Sequence, residues 1–312
     1  MKNPSGVGVA ILVPCYNEAK TIGTVVRDFR RALPKAEILV FDNRSTDASA
    51  AEASAAGAVV RKVSQRGKGN VVRRMFADVE AEVYLMVDGD GTYDAAAAGA
   101  LVQRLRDGGL DMVVGTRVDG HEDAYRPGHR IGNVMLTRTV AFLFGDTFSD
   151  MLSGYRVLSR RYAKSFPAAA TGFEIETELT VHALQLHMPV AEMPTRYGTR
   201  PEGSVSKLST WRDGWRILYT IGRLFKNERP LMFFSLGFAA CSVASFVLAV
   251  PLFDEYLRTG LVPRFPTAIL CTGLMLLGMI LLACGLILDT VTHGRIEAKR
   301  LAYLAVSGPS RS

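Results

Sequence analysis

Two aspartates with one residue between them, Asp88 and Asp90, directly follow the apolar run Val83–Val87. Two carboxylates at this spacing repel each other unless a cation lies between them. Hard cations such as Mg²⁺ or Mn²⁺ bind one or two carboxylates together with substrate phosphates. The pair therefore predicts a divalent-cation site. Read alone, an Asp-x-Asp pattern also fits a simple turn with two solvated acids, so the prediction depends on the surrounding residues.

Further polar segments follow apolar runs in the same way, and they contain basic, acidic and aromatic side chains. They are Pro14–Glu18, Asp42–Asp47, Arg66–Gly69 and Gly115–Arg117. No GxGxxG and no GxxxxGK[ST] pattern occurs, which excludes the dinucleotide fingerprint and the P-loop. The run Asp88–Asp94 is not an EF-hand loop, because its sixth position is Tyr93 where that loop needs glycine.

The elements that must position these segments alternate between apolar runs and helical patterns. Predicted strands cover residues 7–13, 37–41, 58–63, 83–87 and 111–114, and predicted helices cover residues 21–33, 47–56, 70–81 and 95–106. Such alternation indicates an α/β fold with a parallel sheet and helices on both faces. Ligands of these sheets bind beyond the carboxyl ends of the strands. The polar segments are therefore predicted to form one binding site at one sheet edge.

The last third of the chain differs from the rest in charge and hydropathy. Residues 1–195 carry 23 basic and 23 acidic side chains, whereas residues 196–312 carry 14 and 7. The same third contains two uncharged runs of 24 residues, Pro230–Phe253 and Phe265–Leu288. A membrane-spanning helix needs about 20 apolar residues. The runs therefore predict two transmembrane helices, in preference to a buried hairpin of a soluble domain.

The flanks of the two runs predict an orientation. Basic residues precede the first run and follow the second, while the connecting segment Asp254–Arg264 has two acids and two bases. The positive-inside rule then places both termini in the cytoplasm. Residues 204–229 hold both tryptophans between regularly spaced basic side chains, a pattern typical of amphipathic helices at a bilayer interface. An ordinary core-packing helix is the alternative. Glycines within the runs would permit close packing of helices, and the sequence does not decide whether the chain forms a homo-oligomer.

In combination, these segments resemble a known family. VPCYNEAKTI, VFDNRSTDAS, RGKGN, MVDGDGTYD and GTR resemble the family 2 inverting glycosyltransferases with the GT-A fold. The later segments SDMLSGYRVLSR, TGFEIETELTVHA and YGTRPEGSVSKLSTWRDGWRIL are similar to polyprenyl-phosphate glycosyltransferases, relatives of dolichol-phosphate mannose synthase and of bacterial undecaprenyl-phosphate glucosyltransferases. The resemblance covers about residues 7–290. It implies a Rossmann-like, mostly parallel GT-A domain, a Mg²⁺ or Mn²⁺ cofactor, and transfer of one sugar from a UDP- or GDP-sugar to a polyprenyl phosphate with inversion.

The resemblance also implies roles for individual residues. The nucleotide-sugar would contact Pro14, Tyr16, Asn17, Glu18, Asp42, Lys68 and Asp88. The metal and the donor diphosphate would be held by Asp88 and Asp90. The acceptor phosphate would contact Arg117, Arg130, Arg200, Ser206 and Lys207. The sequence departs from the family pattern at Thr92, where relatives often have glutamine, and in Arg200–Lys207, which is one residue longer than RxxGxSK.

Some residues keep alternative interpretations. Asp150 is the candidate catalytic base, and a helix or turn cap is the alternative. Arg156 is a candidate ion-pair residue without an assigned role. Among Glu174, Glu176 and Glu178, one side chain could contact the sugar, but their alternation does not choose among them.

The expected organisation is a plasma (inner) membrane protein in four parts. These are a cytoplasmic catalytic domain over residues 1–203, amphipathic helices over 204–229, a transmembrane hairpin over 230–288 and a cytoplasmic basic tail over 289–312. The expected partners are a nucleotide-sugar, a polyprenyl phosphate and the bilayer, and not a nucleic acid. The alternatives are a family 2 enzyme acting on another lipid or glycan, and a non-catalytic membrane scaffold. The sequence lacks the QxxRW motif of polymerising members.

Overall fold

The structure is a computed structural model that describes residues 7–119, 138, 140–142, 148–168, 172, 174–198, 219 and 221–308. The chain forms two compact units. The first comprises Met1–Ile217 together with Ala298–Ser312, and the second comprises Leu218–Glu297. The four-part division expected from the sequence, with boundaries after residues 203, 229 and 288, stays a prediction.

The first unit alternates strands and helices along its first half. Its elements are β1 (Val7–Cys15), α1 (Ile22–Ala32), β2 (Glu37–Asp42), α2 (Ser49–Ala55), β3 (Val59–Lys62), α3 (Lys68–Asp78), β4 (Ala81–Met86), a 3₁₀ turn (Ala95–Ala97), α4 (Ala98–Gly108) and β5 (Met112–Asp119). After residue 148 it continues with β6 (Arg156–Ser159), α5 (Arg160–Ser165), α6 (Ile175–Gln185) and β7 (Val190–Tyr197). The nine predicted elements up to β5 are all present, with ends shifted by a few residues.

The described residues of the first unit form one seven-stranded sheet in the order β3-β2-β1-β4-β6-β5-β7. β1 pairs in parallel with β2 and β4, and β5 pairs in parallel with β7. Only β6 among these strands runs in the opposite direction, between β4 and β5. The predicted mostly parallel α/β sheet is therefore confirmed. β6 has only four residues and β7 is an edge strand that contains Pro194, so neither gives a clear sequence signal.

The core lies between the sheet and the apolar faces of the helices. In α1 the buried residues include Ile22, Val25, Val26 and Phe29, which follow the helical spacing of three and four. The central strands are buried on both faces, as in β2, where five of six side chains are buried. Such continuous apolar strands are typical of parallel sheets covered by helices on both faces.

The second unit contains the long apolar helix α7 (Pro230–Thr259) and most of a second one, α8 (Phe265–Leu304). The residues of α8 from Ala298 on belong to the first unit. Among the described residues, these two helices are long and apolar enough to cross a membrane by length and composition. They pack closely where a Cβ on Gly285 would lie 3.0 Å from Phe234. Ser245 also donates a hydrogen bond to the Cys271 carbonyl at 2.9 Å. Most of their large apolar side chains stay exposed.

The last residues of α8 are packed within the first unit. The Tyr303 hydroxyl donates to Asp111 Oδ2 at 2.8 Å, and the Arg161 guanidinium lies 4.7 Å from the Tyr303 ring centroid. Lys299 Nζ donates to Gln185 Oε1 at 2.7 Å. Asp111, which precedes β5, has no exposed surface. The last described residues therefore contribute to the stability of the first unit.

Candidate active site

The polar segments predicted to meet do so at the carboxyl edge of the sheet. β1, β2, β4 and β5 run in the same direction, so the segments after them emerge at this edge. Because β6 is antiparallel, its beginning, rather than its end, lies at the same edge beside the end of β4. This brings the residues around 150–155 into the site.

The segments after β1 and β2 are locked together by hydrogen bonds. The Asn17 backbone N–H donates to Ser45 Oγ at 3.0 Å, and the Thr46 N–H donates to Asn17 Oδ1 at 2.8 Å. The Glu18 N–H donates to Ser49 Oγ at 2.7 Å. Asn17 has a φ of 54°, which asparagine tolerates better than most residues. The amide of Asn17, expected at the nucleotide, therefore fixes the shape of the loop.

Tyr16 and the exposed Arg66 contact each other across this region. Arg66 Nη2 donates to the Tyr16 hydroxyl at 3.1 Å, and its guanidinium carbon lies 5.5 Å from the ring centroid. Asp42 is buried and its Oδ1 accepts the Ser45 N–H at 3.3 Å. Asn43 donates to the Gln65 carbonyl at 2.6 Å and so joins the end of β2 to the segment containing Arg66. Arg66 and Asn43 lie in the segments that the sequence singled out, but neither was assigned a role.

Lys68, the first residue of α3, bridges two carboxylates. Its Nζ lies 2.5 Å from Asp88 Oδ1 and 2.6 Å from Glu176 Oε1. Burial alone would lower the pKa of Lys68, but the two carboxylates raise it above its ordinary value. The lysine is therefore a permanent cation at neutral pH. Of the three alternating glutamates, the structure brings Glu176 to Lys68.

The Asp88 and Asp90 carboxylates have different surroundings. Asp90 is buried, and its Oδ1 accepts the Thr92 hydroxyl at 2.6 Å and the Thr92 N–H at 3.2 Å. Thr92, the residue that departs from the family pattern, thus orients the second aspartate. Asp88 lies directly against Gly154, where a Cβ would overlap its carboxylate. The Gly154 N–H donates to the Tyr93 hydroxyl at 2.8 Å, which fixes this close approach.

The donor set fits a divalent cation that is shared with a substrate. No group of three or more His, Cys, Asp or Glu side chains arranged for a metal occurs in the part of the chain that the structure describes. Mg²⁺ is commonly bound by only one or two carboxylates plus substrate phosphates and water. Asp88 and Asp90 supply such oxygen ligands, and the glycine at position 154 leaves room for the Asp88 carboxylate, which a Cβ there would overlap.

Arg117 and Asp150 form a partly buried, bidentate ion pair. Arg117 Nε and Nη2 donate to the two Asp150 oxygens at 2.8 and 2.7 Å. Burial would raise the pKa of Asp150, but the hydrogen bonds and charge of Arg117 lower it below its ordinary value. The Arg117 guanidinium also lies 5.5 Å from the Tyr197 ring centroid. A carboxylate held in this way is a poor proton acceptor, which weakens the interpretation of Asp150 as a base.

Arg156 is not an ion-pair residue within the described part of the chain. It is fully buried and donates to the Ser153 and Met151 carbonyls at 2.9 and 2.5 Å, and to Thr180 Oγ1 at 2.9 Å. These bonds fix the segment that enters β6, which includes Gly154. The other predicted phosphate ligands, Arg130, Arg200, Ser206 and Lys207, lie outside the described residues.

Comparison with known proteins assigns the chain to a family. The model of the family "Glycosyl transferase family 2" matches residues 10–166, which carry β1 to β6. The chain belongs to glycosyl transferase family 2. It is 35% identical over 305 residues to Glycosyltransferase AglJ of Haloferax volcanii, with 96% of this chain and 99% of the relative covered. The "Dolichyl-phosphate hexose transferase" of the same organism is 27% identical over 223 residues, covering 71% of this chain and 95% of the relative.

The fold has solved counterparts. Glucosyl-3-phosphoglycerate synthase from Mycobacterium tuberculosis, crystallised with Mn²⁺, UDP and phosphoglyceric acid, aligns with a TM-score of 0.58. The sequence identity is 22%, and the alignment covers 71% of this family 2 chain and 78% of the synthase. The expected GT-A fold is confirmed, and membership of the family confirms that the chain is a glycosyltransferase.

Proposed function

We propose that this family 2 enzyme transfers one sugar from a nucleotide-sugar to a polyprenyl phosphate. The observation that carries the proposal is the Lys68–Asp88 pair at the carboxyl edge of the sheet, in a chain that also has two exposed apolar helices. The Lys68 ammonium beside Asp88 is suited to binding a diphosphate, and the apolar helices are suited to a lipid-linked acceptor. The similarity to a relative named for dolichyl-phosphate hexose transfer supports the same acceptor class.

The donor would lie across the carboxyl edge. Tyr16, with Arg66 over its ring, is suited to the nucleotide base, because aromatic and guanidinium planes stack on bases. The resemblance adds Pro14, Glu18 and Asp42 to this pocket. Lys68 would contact the diphosphate. The donor in this proposal is a UDP- or GDP-sugar.

Asp88 and Asp90 would hold the divalent cation, Mg²⁺ or Mn²⁺. The chemistry that such a cation supplies when bound is stabilisation of the negative charge on the leaving diphosphate. The protein's own contribution is to fix both carboxylates. Thr92 orients Asp90, and Gly154 leaves the room that Asp88 needs.

The acceptor would be activated by its own charge. A phosphate monoester has its second pKa near about 6, so a lipid phosphate is mostly a dianion at neutral pH. Such a nucleophile needs position and charge compensation more than a strong base. Arg117 would supply both, held in place by Asp150. The resemblance adds Arg130, Arg200, Ser206 and Lys207. Attack opposite the leaving group would invert the anomeric centre.

Membrane attachment would bring the enzyme to its acceptor. In the helical residues 221–228 and directly after them, Arg223, Lys226 and Arg229 are exposed at intervals of three. Basic side chains at this spacing suit anionic headgroups. In this proposal the two apolar helices span the inner membrane, with the catalytic unit and both termini in the cytoplasm.

The deciding experiment is a donor and acceptor panel with purified full-length protein. Nucleoside diphosphate release would be measured with UDP- and GDP-sugars and Mn²⁺ or Mg²⁺, with and without undecaprenyl phosphate. The proposal expects release from one donor that requires the lipid and is lost in Asp90→Ala. Turnover only with another lipid or glycan would refute the polyprenyl acceptor and leave a family 2 enzyme of different specificity. Absence of turnover with every acceptor would favour the alternative of a non-catalytic membrane scaffold.

A further inference from the structure

The Lys68 bridge is asymmetric in its exposure to solvent. The Glu176 side chain retains 6% of its surface, whereas the Asp88 side chain retains 28%. Lys68 itself is 11% exposed. Glu176 is therefore the inner partner of the ammonium and Asp88 is the outer partner, closer to where an incoming donor would bind.

Glu176 also has an unused acceptor. Its Oε2 is buried and accepts no hydrogen bond from any residue that the structure describes. Buried polar atoms in native proteins are nearly always bonded, so an exception needs a reason. An ammonium group has three protons, and in this arrangement Lys68 uses two of them, one for each carboxylate. Glu176 could hold Lys68 with both oxygens if Asp88 released it.

We propose that Glu176 is a positioning residue for Lys68, and that Lys68 is the internal counter-ion of Asp88 until nucleotide and divalent cation bind. A cation arriving alone must compete with an ammonium that already contacts Asp88 Oδ1. A nucleotide diphosphate brings oxygens for both positive charges, so Lys68 can turn to the diphosphate while Glu176 retains it. This inference rests on the proposed function, because it takes the donor to be a nucleoside diphosphate derivative.

The proposal predicts that nucleotide and cation bind cooperatively through Lys68. The experiment is a Mn²⁺ titration of full-length protein in detergent, followed by electron paramagnetic resonance, without nucleotide and with saturating UDP or GDP. We expect nucleotide to raise the Mn²⁺ affinity of the unaltered protein by at least about tenfold. Lys68→Met should raise the affinity for Mn²⁺ alone and reduce this gain. Unchanged affinity in Lys68→Met would overturn the counter-ion role. Lys68→Gln repeats the test if the methionine variant does not fold.

A double-mutant cycle tests whether Glu176 acts through Lys68. Glu176→Gln should reduce the nucleotide-dependent gain in Mn²⁺ affinity, and this effect should disappear when Lys68→Met is already present. Glu178→Gln is the matched control, since it removes another carboxylate from the same helix and leaves the Lys68–Glu176 pair in place. A loss of thermal stability in Glu176→Gln with an unchanged gain would mean that Glu176 is only structural.

Failure of this inference can be told from failure of the proposed function. If neither UDP nor GDP binds, the proposed donor class is wrong. The titration with Mn²⁺ alone still reports on Lys68 in that case, because the unaltered protein and Lys68→Met are compared without nucleotide. If nucleotide binds and turnover occurs but Lys68→Met leaves Mn²⁺ binding unchanged, only the counter-ion role is refuted.

Discussion

Gly154 and Asp88 are in such close contact that a Cβ at position 154 would overlap Asp88 Oδ2, so any larger residue there must displace the carboxylate. The contact joins the beginning of the antiparallel strand β6 to the end of β4. The position of Asp88, the first aspartate of the Asp-x-Asp pair, therefore depends on a glycine that lies far along the chain.

The first prediction follows from this contact. Gly154→Ala should push the Asp88 carboxylate away from its place beside Lys68 and lower turnover by about 100-fold, because small displacements of catalytic groups cost this much. Nucleoside diphosphate release is the measurement. Gly99→Ala, in α4 with nothing within 4 Å of its Cβ, is the control and should keep full turnover. Equal activity of the two variants would contradict the geometry.

The second prediction concerns the Arg117–Asp150 pair. Asp150→Asn removes the bidentate carboxylate partner of the partly buried Arg117, which should destabilise the protein by about 2 kcal/mol at neutral pH. The measurement is the melting temperature of full-length protein in detergent. Turnover should also fall, because Arg117 loses the bidentate contact that orients it.

This effect should depend on pH in a defined direction. The folded-state pKa of Asp150 lies below its ordinary value, which is about 3.9 in the unfolded chain. The pair therefore contributes stability above the unfolded pKa and loses it as the pH falls through the folded pKa. The difference in melting temperature between the unaltered protein and Asp150→Asn should be constant from neutral pH to about 5 and shrink below about 4. A difference that grows on acidification would contradict the assignment.

The third prediction tests the packed end of α8. Tyr303→Phe removes one hydrogen bond from the buried Asp111, which keeps Arg161 and Ser159 as partners. Hydrogen bonds to charged groups contribute about 1.5–3 kcal/mol, so the melting temperature should fall by several degrees. Tyr256→Phe, at a half-exposed position of α7, makes the same chemical change and should have little effect. Equal shifts in both variants would show that the Tyr303 contact is not used.

The fourth prediction tests the packing of the two apolar helices. Gly285→Leu should destabilise the second unit, because a Cβ there already lies 3.0 Å from Phe234 and a larger group must displace it. Gly273→Leu is the control on the same helix, since nothing lies within 4 Å of its Cβ. The fraction of protein that stays monodisperse after heating in detergent is the measurement. Similar survival of both variants would contradict the described helix contact.

Much of the site could be predicted because it follows the strands in sequence. Asp88 and Tyr16 lie at or directly after the ends of apolar runs and Lys68 a few residues after the third strand segment, and parallel strands bring their carboxyl ends to one edge. The partners across the site could not be predicted in this way. Glu176 comes from a helix more than 100 residues after Lys68, and its sequence neighbours Glu174 and Glu178 have the same chemistry. Only the packing of α6 against α3 distinguishes the three glutamates.

The sequence by itself determined the alternating α/β domain, the polar segments after its strands and the two apolar runs. Each depends on local periodicity or composition, which a linear chain displays directly. The tertiary structure decided that Asp150 holds Arg117, that Gly154 faces Asp88 and that Tyr303 reaches Asp111. These pairs depend on strand order, on the reversed direction of β6 and on the path of the last helix. Such long-range features leave no periodic trace, because each partner satisfies its local pattern equally well without the other.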